Sequence, residues 1–204
     1  MFQLSHWPYL QTIPLSGDLK TDITGFLTVN SRQDTVSHCM SVAAASQRIA
    51  LRFGLDEAIA STSALLHDVS NVVKPRDMLD YAMRQKWEID ASEEKYPFLL
   101  HQRLSAVFAR ALFDIRDPRI LSAIGCHTTL KENPSAYDMA LFLADKVSWE
   151  QAGTPPYYDA VSSALEKSLA HASLAYIDFA LDNGMIRSPH PWLTDARHWL
   201  QTAD

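Results

Sequence analysis

Glycine is scarce in this chain, 6 of 204 residues, or about 3% against the roughly 7% that is usual. So few of the residue that turns tight corners argues against a loop-rich or all-β architecture and for packed helices. Cysteine is nearly missing as well, with two in the whole sequence. That excludes a disulfide framework and points to a reducing compartment. No stretch reaches the ~18 apolar residues of a membrane-spanning helix. The opening MFQLSHWPYLQTIPLSGDLK is interrupted by His, Pro and polar residues, so neither a signal peptide nor an anchor is expected. Positive charge is also short: 18 Lys and Arg stand against 24 Asp and Glu, for a formal net charge of -6 and a pI ≈ 5.7. General attraction to nucleic acid or to an anionic membrane is thereby excluded. A phosphate-bearing ligand would have to find its positive charge locally, in a few side chains or a metal. The expectation is a cytoplasmic protein with neither a nucleic-acid nor a membrane partner.

What is present suits a packed core. Hydrophobic residues make up 47% and charged residues 21% of 22.9 kDa, enough for one compact domain with at most a small appendage. Residues 1–33 carry Pro8 and Pro14 and no sustained period, and read as an irregular extension packing on a main body of residues 34–204. From Asp34 the helical period takes over, with His38, Val42, Ala45 and Ile49 on one face. Gly54 ends that helix and Asp56 caps DEAIASTSALLHDVS. Pro75 opens PRDMLDYAMRQKW, and the polar stretch EIDASEEKYP leads into FLLHQRLSAVFARALF as one helix. Asp117-Pro118 starts DPRILSAIGCHTT, and Ser135 caps AYDMALFLADKVSWEQ. The longest helix is expected from Tyr157 to about Asp182, followed by a short one over 192–201. No segment alternates as a strand should, and no internal repeat is visible. The fold class is all-α.

The chemistry lies in a spread of His and Asp at core-facing positions: His38, His67-Asp68, His101, His127 and Asp145. Asp145, in ALFLADKV, follows Leu141 and Phe142 by one turn and so faces the interior. An ionised carboxylate buried without compensation costs many kcal/mol, so it must be protonated, paired or on a metal. Asp68, after SALLHDV, poses the same problem. Lys146 points about 100° away from Asp145 and Lys74 lies beyond the helix end. Imidazoles are what remain to share a cation, and mixed His/Asp ligation is what borderline metals accept. One cation could then rest on His38, His67, Asp68 and Asp145. A second could rest on Asp68, His101 and His127, with Asp68 using one oxygen on each.

The ordered H…HD…H…H…D, with ALLHDVSNVVKPRDML, LLHQ, DIRDPRILSAIGCHTT and MALFLADKV, resembles the HD-domain metal-dependent phosphohydrolases. Within them it is most similar to the YqeK-like symmetrical diadenosine-tetraphosphate hydrolases. The resemblance covers roughly residues 34–185. It implies an HD-domain helical bundle with a metal centre in its core, holding two metal ions on His38, His67, Asp68, His101, His127 and Asp145. Iron is the metal it implies first, with manganese or another transition metal as alternatives. Several positions depart from the family's pattern. Asn71 stands where a Lys is usual, Leu130 where HT-(S/T)-G has its glycine, Thr35 where an Arg precedes the first ligand, and ADKVSWEQ replaces ADYIEPNR. The cage is complete while the phosphate-contacting surroundings are altered.

The activity implied is cleavage of a dinucleoside tetraphosphate, such as diadenosine tetraphosphate, into two nucleoside diphosphates. Two cations ~3.5–4 Å apart would acidify a bridging water, and the hydroxide would attack phosphorus in line. Asp68 would set the metal spacing, and Lys74 and Thr128 are candidates to act beside it on the leaving group. Lys74, Arg103, Thr128, Thr129, Lys131 and Trp149 are candidates to bind the substrate, Trp149 by stacking on a base. Cys39 and Cys126 adjoin two of the proposed ligands and would make the site sensitive to oxidation. The long C-terminal helix offers a surface for a homodimer. Two other readings stay open: a hydrolase of another small nucleotide or phosphoester, and a sensor that binds metal and nucleotide without turnover.

Overall fold

The computed structural model describes residues 6–149 and 153–202. Glu150 and Gln151 of the ADKVSWEQ stretch, the first five residues and the last two lie outside them. The described residues form eleven α-helices and no strand. These are α1 (Leu19–Val29), α2 (Gln33–Arg52), α3 (Glu57–Leu66), α4 (Pro75–Arg84), α5 (Ala91–Lys95), α6 (His101–Leu112), α7 (Pro118–Cys126), α8 (Ala136–Val147), α9 (Tyr158–Leu165), α10 (Leu169–Asp182) and α11 (Pro191–Thr202).

Local chemistry sets many of the boundaries. Asp56 accepts from the backbone N–H groups of Ala58 and Ile59, and Asp117 from that of Arg119. Ser135 and Asp138 form a reciprocal capping box at the start of α8, satisfying donors that a helix start leaves open. Pro75 and Pro118 occupy first turns, where their missing N–H costs nothing. Gly54, at φ +66, turns the chain out of α2 while Leu55 N–H reaches back to the Ala50 carbonyl.

Four expectations change. The N-terminal segment is not irregular throughout: Asp18 caps α1 through Thr21 N–H. Trp7 is buried against Tyr81 and Phe108, at ring distances of 5.2 and 5.4 Å. The polar stretch before Phe98 holds α5, started by the Asp90–Glu93 capping box. The stretch expected as one helix from Phe98 begins instead as a 3-10 turn, Pro97–Leu100, with α6 starting at His101. The long helix over residues 157–182 is two helices, because Ser168 leaves the helical path and caps α10 by accepting from His171 N–H. The surface expected for a homodimer would thus be shared between α9 and α10.

At the centre α2 packs on α3 and α8, and α7 packs on α6, α8 and α3. The α10 helix buttresses α8 from outside and carries α9 and α11. One continuous core runs through the bundle, with Leu66, Leu104, Phe108, Ile124 and Phe142 fully enclosed. Each such side chain contributes about 1.5–3 kcal/mol by leaving water. This framework brings the ends of α3, α6 and α7 to one point beside α2 and α8.

Candidate metal centre

Three of the histidines sit at helix ends, not in helix interiors as expected. His67 follows the last residue of α3, His101 is the first of α6, and His127 follows the last of α7. Each ring folds back onto the carbonyl three residues earlier. His67 Nδ1 lies 2.7 Å from Ala64 O, His101 Nδ1 2.6 Å from Phe98 O, and His127 Nδ1 2.8 Å from Ile124 O. A carbonyl only accepts, so each Nδ1 carries the proton and donates. Every Nε2 is then left with a lone pair directed into the space between the helices.

The lone pairs meet there. His101 Nε2 is 3.0 Å from His127 Nε2, and His67 Nε2 is 3.2 Å from His38 Nε2 on α2. His101 and His127 thus set two acceptors against each other, which repel unless a proton or a metal lies with them. His38 Nε2, 3.0 Å from Asp145 Oδ1, instead donates to that carboxylate in the metal-free cage. Asp68 divides its oxygens between the two pairs. Its Oδ1 is 3.3 and 3.5 Å from His101 and His127, and its Oδ2 is 3.5 and 3.9 Å from His67 and His38. Asp145, from α8, adds Oδ1 at 3.0 Å from His38 and 3.7 Å from His67. His38, His67 and Asp145 form one group able to hold a metal ion, and His67, Asp68 and His127 a second. The His67 ring belongs to both, whereas the sequence assigned it to the first alone.

The donor set fits such ions. Asp68 Oδ1 is buried and accepts no hydrogen bond, a costly state for a carboxylate oxygen unless a cation faces it. Burial opposes charge on Asp68 and Asp145, yet the surrounding imidazoles, with Lys146 for Asp145, hold both carboxyls well below the usual range. For His67 burial also opposes charge, but Asp68 and Asp145 outweigh it and raise the ring well above the ordinary value. Burial wins at His127 and drives it down to about 4. Adjacent rings with opposite shifts mark a site that distributes one cation's charge, and a metal can take the proton's place.

The remaining candidates divide. Thr128 is at the cage, its hydroxyl 3.2 Å from His101 Nε2. Thr129 is buried, its hydroxyl donates to Leu130 O, and it lines a hollow of about 150 Å³ with Thr128. Trp149 lines a cleft of about 750 Å³ with His38, Ser41 and Arg48. It stands edge-on to Tyr157, and its buried indole N–H lacks an acceptor. Lys74 is exposed, with its ammonium 4.8 Å from the Tyr9 ring centre. Lys131 is tied to Ser122 and, at 3.2 Å, to buried Asp138. Arg103 donates to Glu88 O, pairs with Glu93 at 3.4 Å and lies over the Trp87 ring.

Lys146 corrects the sequence reading. Its backbone does point away from Asp145, but its long stem swings back to place Nζ 2.6 Å from Asp145 Oδ2. Burial would neutralise it, and Asp145 instead raises its pKa. Cys39 and Cys126 are buried, and burial pushes both thiols up. That suppresses the thiolate on which oxidation depends, against the expectation of sensitivity.

Gln102 was missed. Fully enclosed on α6, it accepts from Thr128 N–H at 3.0 Å and Thr129 N–H at 3.3 Å and donates to Thr129 Oγ1. Its position beside His101 was the signal available. Leu130 follows at φ +58, a region costing a non-glycine residue about 1 kcal/mol or more. Complete burial of its side chain offsets that cost.

Imidazoles and carboxylates converging from five places in an all-helical bundle form a site able to hold metal ions. The family model of the HD domain matches residues 35–150, and the chain belongs to that family. A Lactococcus lactis subsp. cremoris protein described as uncharacterized is 39% identical over 142 residues, 70% of this chain and 72% of that one. A Mycoplasma genitalium protein named "Probable nicotinate-nucleotide adenylyltransferase/Ap4A hydrolase" is 29% identical over 112 residues, 54% of this chain. The matched region spans only 31% of that longer protein. The fold matches the crystal structure of a "predicted HD superfamily hydrolase involved in NAD metabolism" from Clostridium acetobutylicum. There the TM-score is 0.80 at 22% identity, covering 89% of this chain and 96% of the other.

Proposed function

We propose that this HD-domain protein is a metal-dependent phosphohydrolase that cleaves dinucleoside tetraphosphates symmetrically, diadenosine tetraphosphate giving two ADP. The observation that carries the reading is Asp68, whose two oxygens face two separate imidazole pairs. The Ap4A hydrolase name of the Mycoplasma relative supports the substrate. His38, His67, Asp68, His101, His127 and Asp145 would hold the two metal ions, iron in this reading. When bound, the ions would supply the charge that acidifies a water and offsets the phosphoryl oxygens.

The protein's own part is orientation. The carbonyls of Ala64, Phe98 and Ile124 fix the three rings, and Lys146 fixes Asp145. The Thr128 hydroxyl, 3.2 Å from His101 Nε2, would donate to a phosphoryl oxygen once a metal takes that nitrogen's lone pair. The Trp149 cleft has room for a nucleoside. In the reaction, the oxygen of water bonds to one inner phosphorus and that phosphorus releases the central bridging oxygen. One ADP leaves on that oxygen, and the proton of the water is given up to solvent or to the leaving group.

A second reading, hydrolysis of another small nucleotide or phosphoester, draws on the side-chain cations. Arg103 and Lys131 are already matched by Glu93 and Asp138, which leaves exposed Lys74 and, in the Trp149 cleft, Arg48 as side-chain charge for a long polyphosphate. Incubation of metal-loaded protein with diadenosine tetraphosphate and chromatography of the products tests the choice. ADP as sole product supports the proposal. ATP with AMP, or no cleavage at two bound metals, contradicts it.

A further inference from the structure

Away from the cage, α11 and the α4–α5 connection enclose a hollow of about 320 Å³. His190, Trp192, Glu93, Asp90, Glu88 and Arg103 line it. His190 is 5% exposed, and its Nδ1 accepts from Trp192 N–H at 3.1 Å, which puts the ring proton on Nε2. That Nε2 is buried without a hydrogen-bond acceptor, and Glu93 Oε1 is 3.6 Å away, too far to serve as one. Glu93 is 1% exposed and kept ionised by His190, the Asp90 N–H and Arg103. A buried donor without an acceptor of its own therefore stands beside a buried carboxylate that accepts from Asp90 N–H and Arg103.

The hollow is not isolated from the cage. His190 also lines a smaller hollow of about 150 Å³ together with Thr128 and Lys146, which touch His101 and Asp145 respectively. Its charge excludes phosphate, since three carboxylates stand against the single guanidinium of Arg103. Its size suits a nucleoside. The indole of Trp192, 5.4 Å from the His190 ring, offers an aromatic wall.

We infer that the His190–Glu93–Trp192 hollow is a nucleoside subsite for the end of the substrate remote from the Trp149 cleft. His190 Nε2–H would donate to a ring nitrogen or hydroxyl of that nucleoside, and Glu93 would accept from its amino or hydroxyl group. Arg103, expected from sequence to meet phosphate, serves here as a positioning residue that holds Glu93. The inference rests on the nucleotide reading above, and its test separates the two.

Wild type, Trp192→Ala, Trp192→Phe and His190→Gln are compared on diadenosine tetraphosphate and on bis(p-nitrophenyl) phosphate, which has no nucleoside. The expected result is a KM for the dinucleotide raised about tenfold by Trp192→Ala, the size of one lost aromatic contact. Trp192→Phe should largely restore it, and kcat on the aryl ester should stay within about twofold, which also reports intact folding. An unchanged dinucleotide KM in both Trp192→Ala and His190→Gln overturns the subsite while leaving the hydrolase reading in place. If wild type cleaves neither compound, the hydrolase reading fails and calorimetric binding of ADP decides. Weaker binding in Trp192→Ala supports the subsite, and equal or absent binding in wild type and variant overturns it.

Discussion

The two ends of the cage are built differently. At one end His101 and His127 have side chains 5% and 2% exposed, both rings pinned by backbone carbonyls. Behind them Gln102 clamps the turn that carries Thr128. At the other end His38 and Asp145 are 14% and 17% exposed. There His38 and Trp149 line the open cleft, and the charge on Asp145 is held by a side chain, Lys146. One end is set by main-chain geometry, while the other joins His67, pinned by the Ala64 carbonyl, to charge pairing at Asp145. Removing a side chain should therefore misplace groups at the first end and leave an uncompensated charge at the second.

Loss of the group that joins the ends should do most damage. Asp68→Ala is expected to lower hydrolysis by more than the ~100-fold that removing an outer partner of a ligand costs. Metal content should fall in the same preparation, as elemental analysis would read. Lys146→Met comes next and acts on the carboxylate end. It leaves Asp145 buried without its ammonium, and unfolding of the metal-free protein should lose about 3 kcal/mol or more. Metal-loaded protein should lose less, because the bound ion replaces the missing charge.

Proton linkage separates the ends further. A raised His67 pKa contributes stability fully present below the ordinary 6.5 and lost as pH rises through the raised value. His127, lowered to about 4, works the other way: the unfolded chain takes up that proton first, so stability falls as pH drops from 6.5 towards 4. Asp68 and Asp145, both depressed, contribute stability present above 3.8 that is lost as pH falls further. Metal-free protein should thus be most stable near pH 6.5. Above it, denaturant titrations should show a decline of up to about 1.4 kcal/mol per pH unit. Bound metal, which displaces the proton, should remove the alkaline decline.

At the backbone-pinned end the effect should be smaller. Gln102→Leu leaves the Thr128 and Thr129 N–H groups without their acceptor, at a cost of about 1–3 kcal/mol in stability. Metal content should stay at the wild-type level. A loss of metal in this variant would mean that Gln102 supports the cage itself.

Helix periodicity and caps made the all-α class and most boundaries readable in advance. The exceptions have physical causes. Tyr157 to Asp182 reads as one helix, but the chain tightens into a turn at Glu166–Lys167 and Ser168 then caps α10 by accepting from His171 N–H. The histidines were recognisable as a set because each lies beside apolar residues in a chain poor in cations. Their positions at helix ends were not, since a ring bonding to the carbonyl three residues back leaves no trace in residue order. Lys146 misled for a similar reason, because a helical wheel gives the direction of Cβ and not the reach of a four-carbon stem. Arg103 and Lys131 looked available for phosphate, but Glu93 and Asp138, brought to them by the turns between helices, had already claimed them.

The central claim is that Asp68 joins two metal sites. Elemental analysis of wild-type protein after anaerobic reconstitution with iron or manganese measures it directly. The account predicts about two equivalents per chain, falling in Asp68→Ala and unchanged in Gln102→Leu. No retained metal in wild type, or two equivalents kept after loss of Asp68, would contradict it.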